Sequence, residues 1–201
     1  VLKEENLVSD RALDRLANYI RIYGTKEART AIGRGLEQKI IERDRSVIPA
    51  CDIETLEQFE RLVIDTSDIN GIGGYKIGFE LGLGYGLSRV VETARRYTNK
   101  PIIYDHQKAG TDIPDTGKNF MKVMKQAGVD AVILFPQAGP ETQKAWIKSA
   151  QDLDLGVIVG GLMTHPRYVR SEGGYIADDA IMEMYLNALT EGVTDFVVPG
   201  N

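Results

Sequence analysis

Residues 101–116, PIIYDHQKAGTDIPDT, carry an acid, a base and a second acid in one short span: Asp105, Lys108 and Asp112. Groups of this kind are the usual means of moving protons and stabilising developing charge. The stretch opens on an apolar run, Pro101-Ile102-Ile103-Tyr104. After the charged residues, Pro114 and Thr116 precede Phe120, Val123, Met124 and Ala127, which recur at i, i+3, i+4 and i+7. The pattern reads as strand, loop, helix. A buried strand that delivers charges to its carboxyl end must pair them or use them, because isolated buried charge is costly. The architectural alternative is an ion pair closing the strand end, with an aspartate capping the next helix.

The elements that would hold this stretch follow from the rest of the chain. It has 201 residues and a formal net charge of −5, enough for one domain with a sizeable core. The acidic balance argues against a nucleic-acid polymer as the main partner, since phosphate binding asks for a basic face. No apolar run is long enough to cross a bilayer, and VLKEENLVSD does not read as a secretory leader. A single cysteine, Cys51, allows no internal disulfide and points to a reducing, cytoplasmic setting. With two histidines and one cysteine, a closed Cys/His zinc site is not expected, and no metal ligand set is assigned.

Residues 1–45 read as an N-terminal helical extension. Leu13, Leu16, Ala17 and Ile20 form one stripe, and Ala28, Ala31, Ile32, Leu36 and Ile40 another, with Gly24 between them. They are expected to pack on the main domain or to form an oligomer contact. From residue 46 the rhythm changes. Short apolar runs at Val47–Cys51, Gly74–Gly78, Pro101–Tyr104, Asp130–Phe135, Gly156–Met163 and Asp195–Val198 alternate with helical stripes. The stripes include Leu56, Phe59, Leu62 and Val63, then Leu87, Val90, Val91 and Ala94, and later Ile181, Met184, Tyr185 and Ala188. Gly71, Gly73 and Gly74 precede the second run without the Lys-Ser/Thr pair of a phosphate loop, which favours a tight backbone approach.

This alternation predicts an α/β fold with a parallel sheet covered by helices. No G-x-G-x-x-G follows the first strand, which lowers the dinucleotide-binding reading. Asp52, Lys76, Asp105 and Thr164 all end or follow a strand, and a TIM (β/α)8-type barrel gathers such positions around one mouth. The expectation is therefore a barrel domain over residues 46–201. Only about six strand–helix units can be counted, against the eight of a closed barrel. Strands seven and eight, whose loops often hold a phosphate, are then expected outside this sequence or replaced in some other way.

Several motifs resemble the orotidine 5'-phosphate decarboxylase family. Asp105, Lys108 and Asp112-Ile113-Pro114 are similar to its D-x-K-x-x-D-I-P signature. PACDI with Asp52, GYKIGFEL with Lys76, GLMTHPR with Thr164 and His165, and TDFVVPGN are similar to its first, second, fifth and sixth strands. The family places its lysine two residues after the first aspartate and the second aspartate three after the lysine; here the steps are three and four. Residues three apart do not share a face of a strand. The expectation is that pairing ends at or just after Asp105 and that residues 106–111 leave the strand, with Gly110 permitting an irregular turn.

The resemblance implies a cofactor-independent decarboxylation of orotidine 5'-phosphate to UMP, a step of de novo pyrimidine biosynthesis. It implies an alternating array of Lys76, Asp105, Lys108 and Asp112. Lys108 would lie beside the carbanion formed at carbon 6 and protonate it. Asp105 would face the substrate carboxylate, and Asp52 would meet the ribose. Thr164 stands where the family often has serine and would contact the pyrimidine. Asp112, Ile113 and Thr116 would reach into the neighbouring site of a homodimer. His106 and His165 receive no catalytic role. Two other readings remain open. One is a metal-dependent relative of the hexulose-phosphate synthase or keto-gulonate-phosphate decarboxylase type, which would carry a glutamate where Lys76 stands. The other is a barrel that binds nucleotide without turning it over.

Overall fold

The computed structural model describes residues 47–69, 72–106 and 109–199. The helical stripes expected within residues 1–45, and Lys108, lie outside the described residues. Six short strands carry the fold: β1 (Ala50–Cys51), β2 (Tyr75–Gly78), β3 (Ile102–Asp105), β4 (Ala131–Leu134), β5 (Gly156–Gly160) and β6 (Asp195–Val197). Every neighbouring pair is parallel, and the spatial order is β1-β2-β3-β4-β5-β6. Strand order therefore follows chain order without reversal. A doubly wound sheet reverses at a switch point, whereas a barrel winds one way only, so the topology is that of an α/β barrel wall.

Alternation along each strand sorts the side chains onto two faces. Cys51, Tyr75, Ile77, Ile102, Tyr104, Val132, Leu134 and Val159 point outward into one apolar cluster with the helices. Helices α1 (Leu56–Thr66), α3 (Leu87–Arg95), α4 (Thr116–Ala127), α5 (Pro140–Gln151) and α6 (Ala180–Thr190) cover that face. Phe59, Val63, Val90, Met121, Trp146, Ile147 and Ala188 are their buried contributions. Each buried Val, Ile, Phe or Met among them contributes about 1.5–3 kcal/mol. Ile103, Ile133 and Phe135 form a second, smaller cluster on the inner face, with Ala131, Ile158, Met163 and Val197 against it.

Local chemistry explains several boundaries. Thr55 and Gln58 close a capping box at the start of α1, directly after β1. Pro140 opens α5 behind Gly139. Gly74 passes so close to β3 that a Cβ there would lie 2.7 Å from the Pro101 carbonyl oxygen, which is the tight approach expected of that glycine run.

The structure departs from expectation at particular elements. The first strand is regular only over Ala50–Cys51, with Val47 held to Ile72 by an isolated bridge. A short helix, α2 (Phe79–Tyr85), follows β2 without a loop and was not expected. The fifth strand stops at Gly160 instead of running to Met163. The amides of Gly161 and Leu162 both donate to the Tyr185 hydroxyl, which takes them out of the ladder.

Candidate active site

The inner face gathers charge at the carboxyl ends of the first three strands. In the sheet register Lys76 lies beside Ala50 and Ile103, while Gly78 lies beside Asp105. Lys76 thus begins one pleat below Asp105 and must extend along the strand to reach it. It does so: Lys76 Nζ donates to Asp105 Oδ2 at 2.8 Å and lies 3.7 Å from Asp52 Oδ2. Gly78 leaves room for the Asp52 carboxylate, since an added Cβ there would stand 2.6 Å from Asp52 Oδ1. One cation therefore lies between two carboxylates, and the three groups carry an excess of one negative charge. The Asp105 side chain is only 8 % exposed and that of Lys76 19 %, whereas that of Asp52 is 56 % exposed. Asp105 needs its cation because its carboxylate is cut off from water.

Neighbouring groups feel this cluster. Burial, and then the negative Asp52, push the Cys51 thiol up to about 12, with Lys76 opposing. Burial, and then Asp105, raise the Tyr104 phenol above its ordinary value.

Regular pairing of the third strand ends at Asp105, as the altered spacing requires. His106 faces outward, on the same side as Tyr104. Its Nδ1 is 2.8 Å from the Tyr104 hydroxyl, and its ring meets the edge of Phe120. Gly110 takes φ +88°, a left-handed conformation that favours glycine. Regular strand thus ends before the segment into which the altered spacing puts two extra residues. Lys108 lies outside the described residues, so its own position is not part of this geometry.

Among the described residues, the Asp112-Ile113-Pro114 turn is tied to α5. Its Ile113 carbonyl accepts from Thr116 N at 3.3 Å, Thr116 Oγ1 at 2.8 Å and Trp146 Nε1 at 3.1 Å. The Asp112 carbonyl accepts from Thr142 Oγ1 at 2.8 Å. Gly117 allows this docking, since a Cβ there would lie 2.6 Å from the Trp146 ring. Asp112 Oδ1 accepts from Ile113 N, and among the described residues no ion pair links Asp112 to Lys76. Ile113 is 58 % exposed and lines a shallow groove of about 400 Å³ with Asp112, Pro140 and Thr142.

Thr164 is exposed on the loop after β5, with His165 beside it. Sequence reasoning missed what holds this loop. The Tyr168 hydroxyl donates to the Gly161 carbonyl at 2.8 Å and accepts from Gln137 Nε2 at 2.8 Å. The Tyr185 hydroxyl accepts from the Gly161 and Leu162 amides and donates to the Val197 carbonyl at 2.8 Å. Tyr185 was visible only as one more residue of the α6 stripe, and Tyr168 and Gln137 lie in loops without periodicity. Asp52, Lys76 and Asp105 therefore form one cluster. Asp112, Ile113 and Thr116 form a second, and Thr164 stands on a third element.

A family model described as orotidine 5'-phosphate decarboxylase / HUMPS family matches residues 45–201. An orotidine 5'-phosphate decarboxylase of Methanosarcina barkeri is 31 % identical over 126 residues, covering 63 % of this chain and 54 % of that protein. Its counterpart in Methanosarcina acetivorans is 30 % identical over the same length and the same shares. The chain thus spans about half the length of these curated relatives, 54 % in each case. Among solved structures, an orotidine 5'-monophosphate decarboxylase from Methanocaldococcus jannaschii is similar with a TM-score of 0.65 at 22 % identity, over 76 % of this chain and 69 % of that one. The orotidine 5'-phosphate decarboxylase of Pyrococcus horikoshii OT3 is similar with a TM-score of 0.57 at 23 % identity, over 71 % and 61 % respectively. These two likenesses carry the barrel fold, and the family match, which covers most of the chain, carries the kinship. The chain belongs to the orotidine 5'-phosphate decarboxylase / HUMPS family.

Proposed function

We propose that this protein is a lyase that decarboxylates orotidine 5'-phosphate to UMP without a cofactor. The observation that carries the reading is the Lys76 ammonium held between Asp52 and Asp105 at the mouth of the inner face. The family includes metal-dependent members, and a cation in that position repels a divalent metal. This favours electrostatic catalysis by the chain's own side chains. Residues 46–201 act as the catalytic barrel domain, and residues 1–45 as a separate extension.

Loss of carbon dioxide from carbon 6 leaves an electron pair in an sp² orbital with little resonance relief. Positive charge placed in advance beside that carbon lowers the barrier. Lys108 supplies it and then transfers its proton to carbon 6, so that the carbanion becomes UMP. Asp105 sits against the departing carboxylate; Lys76 holds Asp105 in place through their 2.8 Å contact. Asp52 binds ribose hydroxyls, and its exposure leaves it open to a ligand. Thr164 offers its hydroxyl to the pyrimidine. Asp112, Ile113 and Thr116, on a turn braced by Trp146 and Thr142, reach a neighbouring copy in a homodimer. The reaction serves pyrimidine synthesis in the cytoplasm.

Lys108→Ala tests this reading. The expected result is loss of decarboxylation with UMP still bound, because the lysine acts on charge that appears only in the transition state. Near-normal kcat in that variant removes Lys108 from the mechanism.

A further inference from the structure

The loop bearing Thr164 begins at Gly161, and both polar backbone groups of that glycine are held by tyrosine hydroxyls. Its amide donates to Tyr185 at 3.1 Å, and its carbonyl accepts from Tyr168 at 2.8 Å. The two tyrosines differ in kind. Tyr185 belongs to α6 and also donates to the β6 carbonyl of Val197, so it joins the sheet to its helix layer. Tyr168 belongs to the loop itself. By returning to Gly161 it closes the segment 161–168 into a compact arch with Thr164 near its middle. Arg167, at φ +62°, makes the reversal that brings Tyr168 back. A non-glycine residue in that conformation is strained, so the arch must be held by other contacts.

Those contacts are present. Tyr168 is 7 % exposed, and its ring meets the His165 ring edge-on with centroids 5.5 Å apart. Gln137, from the loop after β4, donates to its hydroxyl and ties the arch to the neighbouring strand. Burial first, and then the neighbouring Tyr185, raise the Tyr168 phenol, with the Gln137 hydrogen bond opposing, so its proton remains available to donate.

The geometry points to Tyr168 as a positioning residue that sets where Thr164 meets the substrate base, with Gln137 as its support. This rests on the decarboxylase reading, in which Thr164 contacts the pyrimidine. Tyr168 touches no substrate; it acts through the arch. Loss of its hydroxyl leaves the Gly161 carbonyl without that donor and Gln137 without that acceptor, and the arch loosens around an intact ring.

The test is Tyr168→Phe, alone and combined with Thr164→Val, with Gln137→Leu as a second route to the same bond. The expected result for Tyr168→Phe is a KM for orotidine 5'-phosphate and a Kd for UMP raised about tenfold, with kcat changed less than about twofold. In the Thr164→Val background the same change has no further effect, because the two act on one contact. Gln137→Leu shifts KM in the same direction by a smaller factor. Unchanged KM and Kd in Tyr168→Phe overturn the proposal, as does full additivity with Thr164→Val. Amide hydrogen exchange separates this from the broader reading. If the wild-type protein binds no UMP, the decarboxylase reading fails. Faster exchange confined to residues 161–168 in Tyr168→Phe then still supports the positioning role, and unchanged exchange there overturns it.

Discussion

The Lys76–Asp105 pair makes a quantitative prediction. At 2.8 Å, and with both side chains largely out of water, the gross attraction is roughly 6 kcal/mol at an effective dielectric of about 20. Desolvation of both groups removes much of that, and charged hydrogen bonds of this kind leave a net contribution of about 2 kcal/mol. The Lys76–Asp52 pair is longer, at 3.7 Å, and its carboxylate is mostly exposed. Near bulk water the same arithmetic leaves roughly 1 kcal/mol gross, and measured exposed pairs give less still. Double-mutant cycles with Lys76→Met, Asp105→Asn and Asp52→Asn, read by urea unfolding at neutral pH, separate the two. The expected coupling is about 2 kcal/mol for Lys76 with Asp105 and below about 0.5 kcal/mol for Lys76 with Asp52. Equal couplings, or a larger one with Asp52, would refute the claim that Asp105 is the buried partner for which Lys76 is held.

Two further predictions concern packing and ionisation. Gly160→Ala places a Cβ 2.2 Å from the Phe135 ring on the inner face, so thermal unfolding should show a loss of about 1–3 kcal/mol, partly recovered by Phe135→Leu. The Cys51 thiol, raised from 9.0 to about 12, stays protonated in the folded protein while an unfolded thiol ionises. Its contribution to stability is thus fully present below pH 9.0 and is lost as pH rises from there toward about 12. Stability against pH in the wild type and in Cys51→Ala checks this: the alkaline decline should be shallower in the variant.

The strands were legible because a short apolar run is a local property. Asp52, Lys76 and Asp105 could be placed at strand ends from the sequence, and the end of β3 at Asp105 followed from the altered spacing. That Lys76 sits between the two acids was not legible. It depends on the register of β1, β2 and β3, and on Gly78 leaving room for the Asp52 carboxylate. The tyrosine clamp on Gly161 was hidden for a similar reason: its partners come from four segments, and a hydroxyl leaves no periodic trace. Gly161-Leu162-Met163 continued an apolar run and read as strand, but Tyr185 takes the Gly161 and Leu162 amides away from the ladder. Helix α2 was missed because FELGLGY abuts the strand, has two glycines, and starts at Gly78 without a side-chain cap.

The most direct measurement is carbon dioxide release from carboxyl-labelled orotidine 5'-phosphate, with UMP quantified, in the presence and absence of a chelator. The account predicts equal amounts of carbon dioxide and UMP, at a rate the chelator leaves unchanged. No release by folded protein, or release that the chelator abolishes, would contradict it.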